Sequence, residues 1–351
     1  RKQSHYEDMT VEVQPDPRHY LTQGWLYGFA DGRGGYPLDW TVLKAWGSDK
    51  PEPQRGPGTG GMIVKDWPAH GWHEFRDPNE EWELTLYRYN ANVVRQINAN
   101  IDTARETKAF EQWNRNWVTF VERNIGAWMH VEHGLGLYLF ANANRRAPTN
   151  MHNNAISVNS MHRIRTAQDL ALYNLTLSEE IAGFDGTAHI ETWNSDPAWQ
   201  GVREVAEQLT AIDDWCEAIF AANVVFEPLV GELFRSHLVQ HAAPGNGDFV
   251  TPTIVGAGEY DYAQRDLRYT IAMFELLTND REFADHNKAL LDQWLQVWVP
   301  RAISAARTLQ PLWSQPDFKP PRFEDGLDRA KSRFSGILSQ LGLGDPKELT
   351  Q

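Results

Sequence analysis

The 351 residues include a single cysteine, Cys216, so no disulfide can close within the chain, and a reducing, cytoplasmic setting is expected. In its context Trp-Cys-Glu-Ala-Ile-Phe that thiol reads as buried and inert, not as a nucleophile. Positive charge is also short: 33 Lys and Arg stand against 47 Asp and Glu, the net charge is −14, and no Lys/Arg-rich run occurs. Nucleic-acid and anionic-membrane surfaces depend on basic patches, so neither partner is expected. No apolar run approaches the about 20 residues of a membrane span, and no signal peptide follows Arg1. A Gly-x-Ser-x-Gly nucleophile elbow, a phosphate-binding loop and sustained strand-like alternation are missing too. Glu-x-x-His is absent: none of the 12 histidines has Glu three positions before it, and the near match of Asp16 and His19 brackets Pro17. Helical bundles that hold two irons take Glu-x-x-His from two helices and Glu from two others. No such metal centre is therefore expected in this chain.

What is present is apolar and aromatic. A hydrophobic share of 41% can bury a substantial core, as one large or two ordinary domains. Tryptophan is abundant at 15 residues, and aromatics of this kind concentrate in cores and interfaces. Residues 1–77 are punctuated by Gly and Pro and show no helical period, yet carry Trp25, Tyr27, Phe29, Tyr36, Trp40, Trp46, Trp67 and Trp72. So long an aromatic-rich stretch without regular structure is expected to be an extended arm that wraps a partner, with folding back over its own bundle as the alternative. Residues 78–310 are periodic with helix spacing, in segments near 79–103, 107–145, 150–184, 198–242, 257–278 and 282–310. In the third segment one stripe runs through Ile164, Ala167, Ala171 and Leu175 and a second through Leu170, Tyr173, Leu177 and Ile181, which predicts a helix buried on most sides. In the last, Leu291, Trp294, Trp298, Ala302 and Ala305 recur at i+3 or i+4, and Pro300 is expected to kink the helix. Residues 311–351 open with prolines and are expected as a surface tail with one short amphipathic helix over 325–341.

Candidate sites are few. Gly56-Pro57-Gly58-Thr59-Gly60-Gly61 satisfies Gly-x-Gly-x-x-Gly, but no strand precedes it and no helix follows to cradle a pyrophosphate. His237 and His241 share a helix face at a spacing that zinc can use, without a third ligand between them. His130 and His133 with Glu132, and His70 with His73, fit hydrogen-bonded packing better than metal ligation. The adjacent Glu179 and Glu180 point about 100° apart on a helix, which leaves them weak candidates for a vestigial metal position.

Three stretches carry a family resemblance: His133 to Arg146 (HGLGLYLFANANRR), His162 to Leu177 (HRIRTAQDLALYNLTL) and Phe226 to Arg235 (FEPLVGELFR). Over roughly residues 75–310 the chain resembles the beta, or small, hydroxylase subunit of soluble bacterial multicomponent di-iron monooxygenases. The arm and the stretch from Gly245 to Tyr262 resemble most the propane 2-monooxygenase group, whose members also act on phenol and ketones. The resemblance implies an all-α, ferritin-like (ribonucleotide-reductase-like) bundle behind a long irregular N-terminal arm. It implies that a partner alpha subunit holds the di-iron centre and that a reductase with FAD and an iron-sulfur cluster supplies electrons from NADH. A coupling protein, a second alpha-beta pair and, in some groups, a gamma subunit complete the assembly. This chain would then hold no cofactor, metal or catalytic residue, and Trp25, Tyr27, Trp40, Trp46, Trp294 and Trp298 are expected at subunit interfaces. From the residues alone two other readings stand: a helical carboxylate and histidine metalloenzyme active by itself, or a helical scaffold outside any oxygenase.

Overall fold

The computed structural model describes residues 75–147, 150–212, 214–281 and 283–349. Almost all of the expected arm, with Trp25, Tyr27, Trp40, Trp46, the Gly56 to Gly61 run, His70 and His73, lies outside the described residues. At its end Phe75 is buried with its ring 4.5 Å from that of His152.

Every regular element among the described residues is helical. Helix α1 (Glu83–Glu106) starts where the Thr85 hydroxyl accepts the Trp82 N–H at 3.0 Å, and it buries the stripe Leu86, Val93, Ile97 and Ile101. Helix α2 (115–144) carries two π-type stretches, Val121–Ile125 and Leu135–Phe140. Helix α3 (Asn150–Glu180) runs beside α1 and α2. Short α4 (Ala188–Ser195) leads into α5 (Pro197–Thr210), where Pro197 fits the first turn and the Asp196 carboxylate accepts the Ala198 N–H. The segment expected as one helix over 198–242 is thus two, because Asp214 caps a new helix by accepting the N–H groups of Cys216 and Glu217. That helix, α6 (215–242), is buried along nearly its whole length and is the axis of the bundle. Its interior Pro228 has no N–H to give, and the π-type winding of Phe220–Gly231 accommodates it. Helix α7 (251–278) begins earlier than the periodicity alone suggests, since Asp248 accepts the N–H groups of Val250 and Thr251. Helix α8 (Ala284–Thr308) continues through Pro300 and packs on α5 and α6.

Two expectations are corrected. The stretch after residue 310 is not a surface appendage: α9 (Phe323–Gln340) lays Leu327, Ala330, Phe334 and Leu338 against α6, all buried. A stripe recurring at i+3 and i+4 needs a partner, and α6 supplies it. In α3 the second stripe, with Leu170, Tyr173 and Leu177, is buried as expected, but Leu172 and Leu175 are 63% and 62% exposed. Helices α1, α2 and α7 cover the other sides of α3 and leave that face open.

Candidate functional site

Helices α2, α3, α6 and α7 converge on five charged side chains. An apolar helix such as α6 can carry an acid and a base only if both are paired, since an isolated buried charge is too costly. Glu227 and Arg235 meet this condition with Arg235 Nη2 2.5 Å from Glu227 Oε2. Arg163 of α3 places Nη1 2.5 Å from the other Glu227 oxygen and 3.1 Å from Glu132 Oε2 of α2. Arg235 also reaches Glu259 of α7, with Nε 2.8 Å from Oε2, and comes within 3.5 Å of Glu132 Oε1. Trp128 Nε1 donates to Glu132 Oε1 at 2.8 Å, and the Arg235 guanidinium lies 5.3 Å from the Trp128 ring centre. Glu132, Arg163, Glu227 and Arg235 are all at most 3% exposed.

Burial alone would raise the Glu227 carboxyl, but the guanidiniums of Arg163 and Arg235 outweigh it and hold the group below its ordinary range. Burial likewise disfavours the charge on Arg235, and Glu227, Glu259 and Glu132 more than offset that. The result is a set of ion pairs locked to one another, with Glu227 and Arg235 each held in the charged form by its partners, and the arrangement orders helices.

A second buried network adjoins it. His162 of α3 holds Nδ1 2.7 Å from Asp266 Oδ1, with Nε2 3.5 Å from Glu81 Oε2. Burial opposes a charged imidazole there, yet Asp266 and Asp261 raise its pKa. Arg165 pairs with Asp169 and, at 2.6 Å, with Asp261, and Arg265 grips Glu81. Neutral bonds extend the ordering: Asn223 donates to Asn159 Oδ1 at 2.8 Å, and Tyr262 donates to the Asn223 carbonyl at 2.9 Å.

The sequence candidates scatter. Of the His130, Glu132 and His133 group only Glu132 turns into the cluster; His130 Nε2 lies 3.0 Å from His189 Nδ1, and His133 packs edge-on to Tyr138. His237 and His241 stack on one another, and His241 Nδ1 bonds the Ser236 carbonyl. Glu179 and Glu180 do not mark a vestigial centre: they sit at the end of α3, pairing with Arg105 of α1 at the surface. Cys216 is fully buried, and burial pushes its thiol well above the ordinary range. Trp294 and Trp298, expected at an interface, face inward at 7% and 4% exposure; Trp294 packs on Phe220 and Trp298 Nε1 donates to Glu217 at 2.8 Å. Among the described residues no three His, Cys, Asp or Glu side chains come together as metal ligands would. In the central cluster guanidiniums lie between the carboxylates, so the residues present do not fit a metal.

Residues Arg163, Glu227, Arg235 and Glu259 escaped the motif reading. Their signal was a charge stranded in apolar sequence, as in Val225-Phe226-Glu227-Pro228-Leu229, which demands an opposite charge from another helix.

Residues 50–281 match the Methane/Phenol/Alkene Hydroxylase family. The chain is 51% identical to the propane 2-monooxygenase hydroxylase small subunit of Rhodococcus jostii (strain RHA1), over 100% of this chain and 89% of that one. It is 50% identical to the small subunit of the same name from Mycolicibacterium smegmatis, over 99% of this chain and 87% of that one. A crystal structure of xenon-pressurized phenol hydroxylase from Pseudomonas sp. OX1 superposes with a TM-score of 0.68 at 19% identity, over 85% of each chain, a likeness of fold.

Proposed function

This chain belongs to the Methane/Phenol/Alkene Hydroxylase family, and we propose that it serves there as the small, non-catalytic subunit of a propane-oxidising hydroxylase. The observation that carries this reading is that 51% identity to such a small subunit extends over the whole chain. The locked ionic cluster supports it: the charged groups at the centre of the bundle pair with one another and hold four helices together. In this reading O2- and NADH-dependent hydroxylation of propane, related small hydrocarbons, phenol or ketones takes place in a cytoplasmic complex. A larger alpha subunit carries the di-iron centre, and a reductase with FAD and an iron-sulfur cluster and a coupling protein serve it. The present chain buries the alpha subunit's helices and fixes the pairing of two alpha-beta units.

Solvent-facing apolar residues support a large protein contact. Leu84, Tyr87 and Val94 are exposed on α1 and Leu172 and Leu175 on the neighbouring α3, apolar side chains that a partner subunit would cover. The arm residues Trp25, Tyr27, Trp40 and Trp46 are the further contacts proposed. Obligate interfaces of this kind bury about 2,000–5,000 Å².

The native mass of this chain, affinity-purified from its own host, tests the proposal. A complex with a larger helical subunit is expected, and Ala in place of Trp25, Trp40 and Trp46 together should weaken it while the bundle stays helical. A chain that purifies alone and unassembled would overturn the reading.

A further inference from the structure

We propose that the groove between α7 and α9 docks an acidic amphipathic helix of a partner protein, an inference that rests on the reading of this chain as one subunit of an assembly. Both helices pack on α6 and leave between them a groove of about 490 Å3, with Leu267 and Ile271 of α7 and Ile337 of α9 as its apolar lining. The charged side chains that line it, Arg329 and Arg333, are both cationic, in a chain whose net charge is −14. The groove is open to solvent along α9. Sites for small molecules bury most of their ligand, whereas a helix laid into a groove needs only one face covered, so an amphipathic helix is the better fit.

Both guanidiniums are available to carboxylates from outside. Arg329 makes no ion pair or hydrogen bond with any described residue. Arg333 commits only Nε, 2.5 Å from Oε1 of the buried Glu232, and its side chain stays 43% exposed with both Nη groups unengaged among the described residues. Four residues apart on α9, the two guanidiniums lie about 6 Å apart along the helix axis, so acidic side chains one turn apart on a facing helix would meet both, each in the paired geometry that arginine offers a carboxylate. Gly336 is an independent observation. It is exposed inside α9, where glycine weakens a helix relative to alanine, yet a Cβ there would meet nothing within 4 Å. Packing among the described residues therefore does not call for a glycine at this position, and the close approach of another backbone does. From Arg329 to Gln340 the lining runs over about three turns of α9, the length of a short amphipathic helix.

The test compares the purified assembly with the isolated full chain, each carrying Gly336→Cys and treated with iodoacetamide. Cys216 is fully buried, so the introduced thiol is the one this chain offers the reagent. Its alkylation should be about tenfold slower in the assembly. Adding Arg329→Glu should return the rate to that of the isolated chain while the native mass of the assembly stays the same. In an assembly carrying Arg329→Lys, a carbodiimide should join the new amine to an Asp or Glu in a helical peptide of another subunit, identified by peptide mass spectrometry. Equal alkylation of assembly and isolated chain overturns the proposal, as does protection that survives Arg329→Glu, the absence of a cross-link, or a cross-link to this chain or a second copy of it. Ser332→Cys gives the same reading should Gly336→Cys fail to assemble. An assembly with an unprotected thiol overturns this docking site alone, whereas a chain that never assembles overturns the reading on which it rests as well.

Discussion

Arg235 and Glu227 lie eight residues apart on the same buried helix, and the Arg235 Nη2 sits 2.5 Å from the Glu227 Oε2. Two turns of helix would normally separate these groups by too much for a direct contact; the long arginine side chain folds back across Gly231, the residue midway between them, where no side chain intervenes. The pair then meets Arg163 and Glu259 from the flanking helices.

Breaking this pair from one side should be severe. Arg235→Met strips Glu259 of its guanidinium and leaves Glu227 and Glu132 to share Arg163 alone, and is expected to cost about 3–5 kcal/mol. Coupling it with Glu227→Gln should cost less than the sum of the two single changes. Denaturant melts of the four proteins in one cycle check this, and strict additivity would show the ions to be energetically independent.

Gly231→Ala puts a methyl group against the Glu227 carboxylate and Arg235. The expected loss is about 1–3 kcal/mol, the usual cost of overpacking. The same change at Gly336 of α9, where a Cβ meets nothing within 4 Å, should be neutral or stabilising in the same melt.

Much of this fold was legible because helix periodicity is a local signal. The stripes of α8 and of the helix within the tail recur at 3.6-residue spacing, and both are buried. What periodicity cannot show is which face finds a partner: Leu175 and Leu177 look alike in sequence, yet one is 62% exposed and the other 1%. The cluster was less legible for a related reason. Glu132, Arg163, Glu227 and Glu259 come from four helices, and a search for spacing within one helix misses a cluster assembled between helices. The break before α6 was visible only in its Asp214 cap, a single residue in an otherwise continuous helical pattern.

Acidity should stabilise the turn before α7. Asp248 is fully buried and accepts N–H groups of Val250 and Thr251 and the Trp117 indole, but burial outweighs these bonds and raises its carboxyl from 3.8 to about 6. The fold then holds a proton that the unfolded chain releases. The contribution is present in full below pH 3.8 and is lost as the pH rises through about 6. Asp248→Asn should flatten the fall in stability across that window by up to about 3 kcal/mol, read from melting temperatures on either side of it.

Cys216 should be silent to thiol reagents in the native state, because it is fully buried and its thiolate is disfavoured. Labelling should appear only with denaturant, in step with loss of helical signal. Rapid native labelling would place the thiol at an opening that the fold does not show.

Glu in place of both Leu172 and Leu175 tests the open face of α3. Both side chains are mostly exposed, so the isolated chain should change by no more than about 0.5 kcal/mol. The assembled complex should dissociate more readily on size exclusion at matched concentration. Unchanged assembly would move the contact to another face.

The most direct measurement of the central claim is native mass spectrometry of the assembled hydroxylase, followed by dissociation in the same instrument and weighing of each released subunit. The account predicts that this chain leaves at its bare polypeptide mass while iron remains with the larger subunit. Release of this chain with iron attached would contradict it and place the chemistry on its own residues.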